Sequence, residues 1–359
     1  MALLMIMAGG TGGHIYPALA VAETLRRQGV EIVWVGTPGG MESRIVPGYG
    51  FDMAEVDVRG LRGKGWRRWL TMPLELLRAV AQMRGLIRQW QPQALLGMGG
   101  FVSGPGGLAA KLAAVPLLIH EANAIPGLTN RCLAYIATVV MSGFEGVFSN
   151  GRDCRFVGNP VSAAFGEIPA PGQRLQRFDK PLRLLITGGS QGAGIFNDVI
   201  PKVLGGISTN CSFEVRHQCG RGRQEALERA YQKMQVATTT VLEFIDDMPA
   251  AYAWSDLVIS RAGAMTVAEL AAAGAAAILC PYPLAVGDHQ TANARYLVDR
   301  KAAVLVSQAD FTVERLARLL RNFSVDRASL LTLATAASQC AHPDATQRVA
   351  AACLEVLHA

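Results

Sequence analysis

Two glycine-rich stretches carry the clearest chemistry in this sequence, GGTGGH at residues 9–14 and GGSQGA at residues 188–193. Each follows a short apolar run and precedes a helical pattern. A Gly-Gly turn between strand and helix lets backbone N–H groups approach an anion closely. The helix N-terminus behind it adds about half a positive charge. Phosphate is the natural guest, so a diphosphate-bearing ligand is expected. A third stretch, GMGGFVSGPGG at residues 97–107, brings another flexible loop to a strand end. Close strand–helix packing explains one such turn as readily as a ligand does; the recurrence favours the ligand. Neither turn fits other phosphate motifs. GGTGGH lacks the Lys-Ser/Thr of a P-loop. As a dinucleotide fingerprint it carries Ile15 where glycine or alanine is wanted, and residues 33–37 offer no acid for a ribose.

The elements around these turns alternate. Apolar runs at residues 31–35, 94–98, 117–120, 212–217, 239–244, 257–260 and 276–281 read as strands, with helical stretches at 74–90, 250–255 and 265–273 between them. Regular β–α alternation predicts parallel sheets with ligands at the carboxyl ends of the strands. The two turns lie about half the chain apart, which predicts one doubly wound domain in each half. The expected division is an N-terminal domain over 1–161, a linker over 162–181 on its Pro and Gly content, a second domain over 182–340, and a last helix within 341–359 able to pack on either.

Composition narrows the class. The chain has 359 residues, half of them hydrophobic and 17% charged, which favours two well-packed domains over disorder. No window of 18 residues is uninterruptedly apolar, and the opening MALLMIMA reads as a buried strand rather than a signal peptide. Seven scattered cysteines without a CxxC spacing predict buried thiols in a reducing cytosol, not a disulfide framework or zinc site. Charge is uneven. From Arg59 to Trp90 eight basic residues face one acid, Glu75, a local excess larger than the net +6 of the whole chain. Trp66, Trp69, Leu70, Leu74, Leu77 and Trp90 interleave with Arg67, Arg68 and the other cations there. Such an amphipathic segment suits an anionic bilayer interface, although a docking helix with a solvated basic face has the same pattern. No nucleic-acid-binding motif accompanies it.

Over nearly its whole length the sequence resembles the MurG glycosyltransferases, which move N-acetylglucosamine from a UDP donor to undecaprenyl-diphosphoryl-muramoyl-pentapeptide. The resemblance rests on GGTGGH, GMGGFVSGPGG, HEANAIPGLTN (120–130), VGNPV (157–161), GGSQGA, FIDDM (244–248), SRAGAMTVAEL (260–270) and DHQTANA (288–294). It implies an α/β protein of two Rossmann-like doubly wound domains facing a cleft (the GT-B arrangement), the acceptor on the N-terminal domain and the UDP-sugar mainly on the C-terminal one.

The resemblance implies a donor site at Thr11, Gly12, Gly13, Asn123, Ser190, Gln191, Ile245, Ala264, Met265, Thr266, Glu269, Gln290 and Asn293. For the acceptor's diphosphate it implies Gly10, Thr11, Gly12, Gly13, His14 and Gly104. Glu269 lies three residues after Thr266, on one helical face, where a carboxylate can accept both ribose hydroxyls. Ser190 and Gln191 add a hydroxyl and an amide to the phosphate cradle, with Ser190 alternatively a helix N-cap. Gln290 and Asn293, three apart, can read sugar hydroxyls; Asn123 can reach the sugar from the other domain. His14 is the candidate general base, or else a ligand of the acceptor's diphosphate; Glu121 is a weaker base, and His120 supports the loop of Asn123. Ser162 stands where an arginine is usual, and Ala262 replaces a serine.

The implied reaction is a single inverting displacement giving a β-1,4 linkage, with no cofactor. Asp246 and Asp247 read as loop and capping residues rather than metal ligands. The implied setting is the cytoplasmic face of the bacterial inner membrane, with Trp66, Arg67, Arg68, Trp69, Leu70 and Leu77 at the surface and no nucleic acid as partner. Two alternatives share parts of the pattern: a glycolipid synthase with another UDP-hexose, and a non-catalytic recruiting subunit, which needs no donor pocket.

Overall fold

The computed structural model describes residues 2–58, 66–148, 153–176, 180–189, 191–209, 211–236 and 238–359, and not the side chains of residues 66–72. The chain forms two compact units, Met1–Ser162 with Pro343–Ala359, and Ala163–His342.

In unit 1 the described residues form seven parallel strands: β1 (Leu3–Ala8), β2 (Glu31–Gly36), β3 (Asp52–Glu55), β4 (Ala94–Gly99), β5 (Leu117–Glu121), β6 (Val139–Ser142) and β7 (Cys154–Phe156). Their order is β3-β2-β1-β4-β5-β6-β7. Helices α1 (Gly12–Arg26), α2 (Glu42–Ile45), α3 (Trp66–Trp90), α4 (Ser103–Leu112) and α5 (Leu128–Leu133) connect them. The unbroken apolar run of β1 follows from burial on both faces. Leu4, Ile6 and Ala8 pack with Ile15 and Leu19 of α1. Met5 and Met7 pack with Met83 and Ile87 of α3 and Ala109 of α4. Each such fully buried Leu, Ile or Met side chain contributes about 1.5–3 kcal/mol.

Unit 2 repeats the plan with α6 (Pro171–Arg174), β8 (Leu182–Thr187), α7 (Gly194–Ile207), β9 (Phe213–Gln218), α8 (Gln224–Lys233), β10 (Thr239–Leu242), α9 (Met248–Trp254), β11 (Leu257–Ser260), α10 (Ala264–Ala272), β12 (Ala277–Leu279), α11 (His289–Val298), β13 (Val304–Leu305), α12 (Val313–Val325) and α13 (Arg327–Ser338). Its strands are parallel in the order β10-β9-β8-β11-β12-β13. The last helix, α14 (Ala345–Leu357), belongs to unit 1. There Val349, Ala350 and Cys353 complete the face covered by α1, and the Thr346 hydroxyl donates to the Val161 carbonyl at 3.3 Å.

Two expectations need correction. The stretch 162–181 does not act as a free linker, because residues from Ala163 onward pack into unit 2. Phe165 is buried against Tyr252, ring centroids 5.8 Å apart. The Arg174 guanidinium donates to the carbonyls of Tyr252, Ser255, Ala273 and Gly274. These carbonyls end α9 and α10, where acceptors lack intrahelical partners and a cation is favoured. Nor are all the cysteines buried: Cys132 is exposed, and Cys154 and Cys211 are half-buried.

Candidate active site

Both sheets reverse their direction of growth at a central pair of strands, β1/β4 in unit 1 and β8/β11 in unit 2. Ligands of doubly wound folds bind outside the carboxyl ends of strands at such points. The four loops that leave these strands carry GGTGGH, GMGGFVSGPGG, GGSQGA and SRAGAMT.

In unit 1, α1 starts after Thr11, an exposed N-cap with no side-chain cap. The amides of Gly12 and Gly13, in the first turn, have no acceptor within the helix. The turn before it is held from three sides. Glu42, wholly buried, accepts hydrogen bonds from Gly10 N (3.0 Å), Thr37 N (2.9 Å) and the Thr37 hydroxyl (2.8 Å). Burial pushes the Glu42 carboxyl up, but the N–H groups of Gly10, Thr37 and Glu42 and the Thr37 hydroxyl outweigh it and bring it below the ordinary glutamate value. The indole of Trp34 donates to the Ala8 carbonyl at 2.8 Å, fixing the end of β1. Behind β4, Gly100 (φ +93°) lies so close that a Cβ there would come within 2.5 Å of the Gly9 oxygen, and one on Gly99 within 2.6 Å of the His14 ring. His14, half-buried, has Nδ1 3.1 Å from the Gly9 carbonyl. A carbonyl only accepts, so this contact calls for a proton on Nδ1, and in the neutral ring with that tautomer Nε2 holds the lone pair. Gly104 lies in the first turn of α4, also without a side-chain cap.

At the end of β5, buried Glu121 accepts from Asn123 N (2.9 Å), Asn123 Nδ2 (3.1 Å), Gly127 N (3.1 Å) and Asn130 Nδ2 (2.9 Å). His120, buried, contacts the Gly158 carbonyl through Nε2 at 3.0 Å, and Asn159 Nδ2 donates to the Ala122 carbonyl at 3.0 Å. Burial holds the His120 imidazole below its ordinary pKa. These bonds tie the HEAN loop to the VGNPV loop and orient Asn123.

In unit 2, Gln218 at the end of β9 supports the second glycine turn. Its Oε1 accepts from the Thr187 hydroxyl (3.1 Å) and Gly188 N (3.2 Å), and its Nε2 donates to the Gly189 carbonyl (2.7 Å). The N-cap of α7 is Ala193, leaving the amides of Gly194 and Ile195 at an uncapped helix start. Gln191 is exposed; Ser190 lies outside the described residues. Helix α10 is likewise uncapped at Gly263, so Ala264, Met265 and Thr266 open a second helix N-terminus. Glu269, one turn on and partly buried, accepts from the Tyr252 hydroxyl at 3.2 Å. Burial raises its carboxyl to about 7, against the lowering effect of that bond. Ile245 is half-buried in the loop between β10 and α9. Gln290 accepts from Tyr282 N through Oε1 at 2.9 Å.

Residues 4–142 match the glycosyltransferase family 28 N-terminal domain and residues 183–349 its C-terminal domain. The chain is 49% identical over 353 residues to the UDP-N-acetylglucosamine–N-acetylmuramyl-(pentapeptide) pyrophosphoryl-undecaprenol N-acetylglucosamine transferase of Nitrosococcus oceani, covering 98% of each chain. It is 47% identical to the enzyme of that name from Shewanella oneidensis, covering 98% of this chain and 96% of the relative. The crystal structure of Acinetobacter baumannii MurG superposes with a TM-score of 0.85 at 40% identity, covering 99% of this chain and all of that one. The chain belongs to the MurG family of glycosyltransferases. Its units are the two Rossmann-like domains of a GT-B enzyme. A UDP-GlcNAc 2-epimerase from Neisseria meningitidis shares the fold at a TM-score of 0.68 and 12% identity, over 99% of this chain and all of that one.

Within this MurG family member some expected site residues change role. The Gly10 amide is occupied by Glu42, so it is not offered to a diphosphate. Asn293 is wholly buried and its amide donates to the Ala262 carbonyl at 3.2 Å, which ties α11 to the SRAGAMT loop. Glu121, buried under four donors, anchors the HEAN loop. Asp247 caps α9, accepting from Ala250 N at 2.9 Å, as its position suggested. The Arg261 guanidinium donates to the carbonyls of Cys280 and Pro281 and to Gln308. Sequence reasoning missed Glu42, Gln218, Tyr252 and Gly194. Glu42 reads as an ordinary first-turn acid of a helix, and the other three carry no motif of their own. Leu77, with Leu74 and Leu76, is exposed on α3, while the side chains of Trp66, Arg67, Arg68, Trp69 and Leu70 lie outside the described residues.

Proposed function

We propose that this chain transfers N-acetylglucosamine from UDP-N-acetylglucosamine to the C4 hydroxyl of the undecaprenyl-diphosphoryl muramoyl-pentapeptide, with inversion to a β-1,4 linkage and release of UDP. The observation that carries the proposal is the pair of uncapped helix N-termini, α7 and α10, at the β8/β11 switch point, with the Glu269 carboxylate about one turn into α10. This combination suits a nucleoside diphosphate: amides for phosphate oxygens and a carboxylate for ribose hydroxyls. The names of relatives at 47–49% identity over almost the whole chain support the choice of sugar and acceptor.

In the proposed reaction the acceptor oxygen attacks the anomeric carbon as the bond to the diphosphate breaks. The Nε2 lone pair of His14 takes the hydroxyl proton. The amides of Gly194, Ile195, Ala264, Met265 and Thr266, with Ser190 and Gln191, stabilise the charge that develops on the leaving UDP. Glu269 binds the ribose, the Ile245 backbone the uracil, and Gln290 and Asn123 the sugar hydroxyls. Gly12, Gly13 and Gly104 face the acceptor's diphosphate, with Thr11 beside them.

The acceptor is lipid-linked, so we place the enzyme at the cytoplasmic face of the inner membrane as a peripheral protein. No helix among the described residues is long and apolar enough to cross a bilayer. Exposed Leu74, Leu76 and Leu77 with Arg78, Arg84 and Arg88 support α3 as the contact surface. Turnover with a panel of UDP-sugars and a short-chain analogue of the muramoyl-pentapeptide lipid tests the proposal. Turnover with UDP-N-acetylglucosamine is expected; preference for another UDP-hexose with diacylglycerol, or no donor binding, contradicts it.

A further inference from the structure

Glu42 and His14 grip opposite edges of one peptide group. The N–H of Gly10 and the carbonyl of Gly9 belong to the same peptide, and in a trans peptide they point in opposite directions. The N–H donates to Glu42 Oε2 at 3.0 Å, and the carbonyl faces His14 Nδ1 at 3.1 Å. Gly100 closes over this peptide and Gly99 against the imidazole, at distances that would admit no Cβ. A histidine base that takes a proton at Nε2 needs a partner that keeps Nδ1 protonated and the ring in place. Many enzymes place a carboxylate directly on that nitrogen. Here a carboxylate stands one peptide further back.

We propose that Glu42 is a positioning residue for the transfer reaction, fixing the ring orientation and the Nδ1–H tautomer of His14 through the peptide that links Gly9 to Gly10. This rests on the reading of His14 as the base. The negative carboxylate polarises the peptide, which strengthens its carbonyl as the acceptor of the Nδ1 proton. It also holds that peptide against rotation, since Oε1 is occupied by the amide and hydroxyl of Thr37. Three donors use both carboxylate oxygens, so a glutamine cannot replace Glu42. With its oxygen kept on Thr37, its NH2 group would face the Gly10 N–H.

The test has two parts. In the unsubstituted protein, 15N shifts of the histidine rings, assigned by difference from His14→Gln, should show His14 as the Nδ1–H tautomer. An Nε2–H tautomer overturns the inference without any Glu42 variant having to fold. In Glu42→Gln, turnover should fall about 10- to 100-fold, the range typical of lost orienting partners, while UDP affinity stays within about twofold because its groups lie in the other unit. Combined with His14→Ala, Glu42→Gln should cause no further loss, as residues acting as a unit are non-additive. Losses that multiply, or an unchanged Nδ1–H signal alongside reduced turnover, make Glu42 merely structural and overturn the inference. If His14→Ala keeps near-normal turnover, the base assignment itself fails. If His14→Ala is inactive while Glu42→Gln keeps full turnover, only the role of Glu42 fails.

Discussion

The glycine turns after β1 and β8 begin alike in sequence and stand at equivalent switch points, yet different groups support them. In unit 1 the prop is a buried carboxylate, Glu42, which takes the Gly10 amide. In unit 2 it is a neutral carboxamide, Gln218, which accepts from Gly188 N and donates to the Gly189 carbonyl. A buried negative charge beside a turn lowers its affinity for anions, whereas a neutral prop leaves the field of the helix N-terminus intact. The unit 2 turn thus suits a diphosphate better. The unit 1 turn is better suited to hold an imidazole, with anion binding confined to the amides of Gly12 and Gly13. Similar glycines serve two chemistries, and the neighbouring polar side chain selects between them.

Substitutions that separate the two turns break or sharpen this contrast. The largest effect is expected for His14→Ala, with turnover reduced about 10²–10⁴-fold, the contribution of a general base; near-normal steady-state turnover of the purified variant would remove the base from unit 1. Glu269→Ala should come next, weakening UDP about 10- to 100-fold, because hydrogen bonds to a charged group are worth about 1.5–3 kcal/mol. The pH dependence has a definite sign. Burial raises the free carboxyl from 4.5 to about 7, so its contribution to stability is complete below 4.5 and lost as pH rises through about 7. Ribose hydroxyls donate to the ionised form, so UDP affinity should rise between pH of about 6 and 8. Calorimetric titrations with UDP-N-acetylglucosamine, whose diphosphate has no proton to lose in that range, should show the rise in the unsubstituted protein and a flat profile in Glu269→Gln.

Gln218→Ala tests the unit 2 prop. It strands the Gly188 amide and the Gly189 carbonyl, at about 1–3 kcal/mol in stability, read by denaturant unfolding, and should weaken UDP binding while sparing the His14 tautomer. A further effect is expected at the membrane surface. Charge reversal at Arg67 and Arg68 should weaken binding to anionic vesicles by roughly 1 kcal/mol per basic residue, more at low salt. Salt-insensitive, unaltered binding would reject the electrostatic part of that proposal.

Much of this architecture was readable because glycine turns and two-sided apolar strands are local signals. β1, with its continuous run, and the helix that follows GGTGGH are examples. The short strands β3 (DMAE), β7 (CRF) and β13 (VL) were not legible, since their pairing is set by neighbours and not by their own pattern. The supposed linker failed for a related reason: its Pro and Gly content suggested a loop, but the partners of Arg174 lie about 80 to 100 residues away in sequence. In the site, motif glycines and Glu269 were visible, whereas spacing alone did not show that Asn293 is buried. A helical repeat of three puts Gln290 and Asn293 on one side, but only burial decides which faces the core. Glu42 was invisible because its function comes from being folded under a turn more than thirty residues earlier.

The division of labour between the turns is tested most directly by calorimetric titration of UDP into His14→Ala and Glu269→Ala, side by side with the unsubstituted protein. The expected result is unchanged affinity in His14→Ala despite its lost turnover, and affinity weakened about 10- to 100-fold in Glu269→Ala. Loss of UDP binding in His14→Ala parallel to its loss of turnover, or undiminished binding in Glu269→Ala, would contradict the assignment of the donor to unit 2 and the base to unit 1.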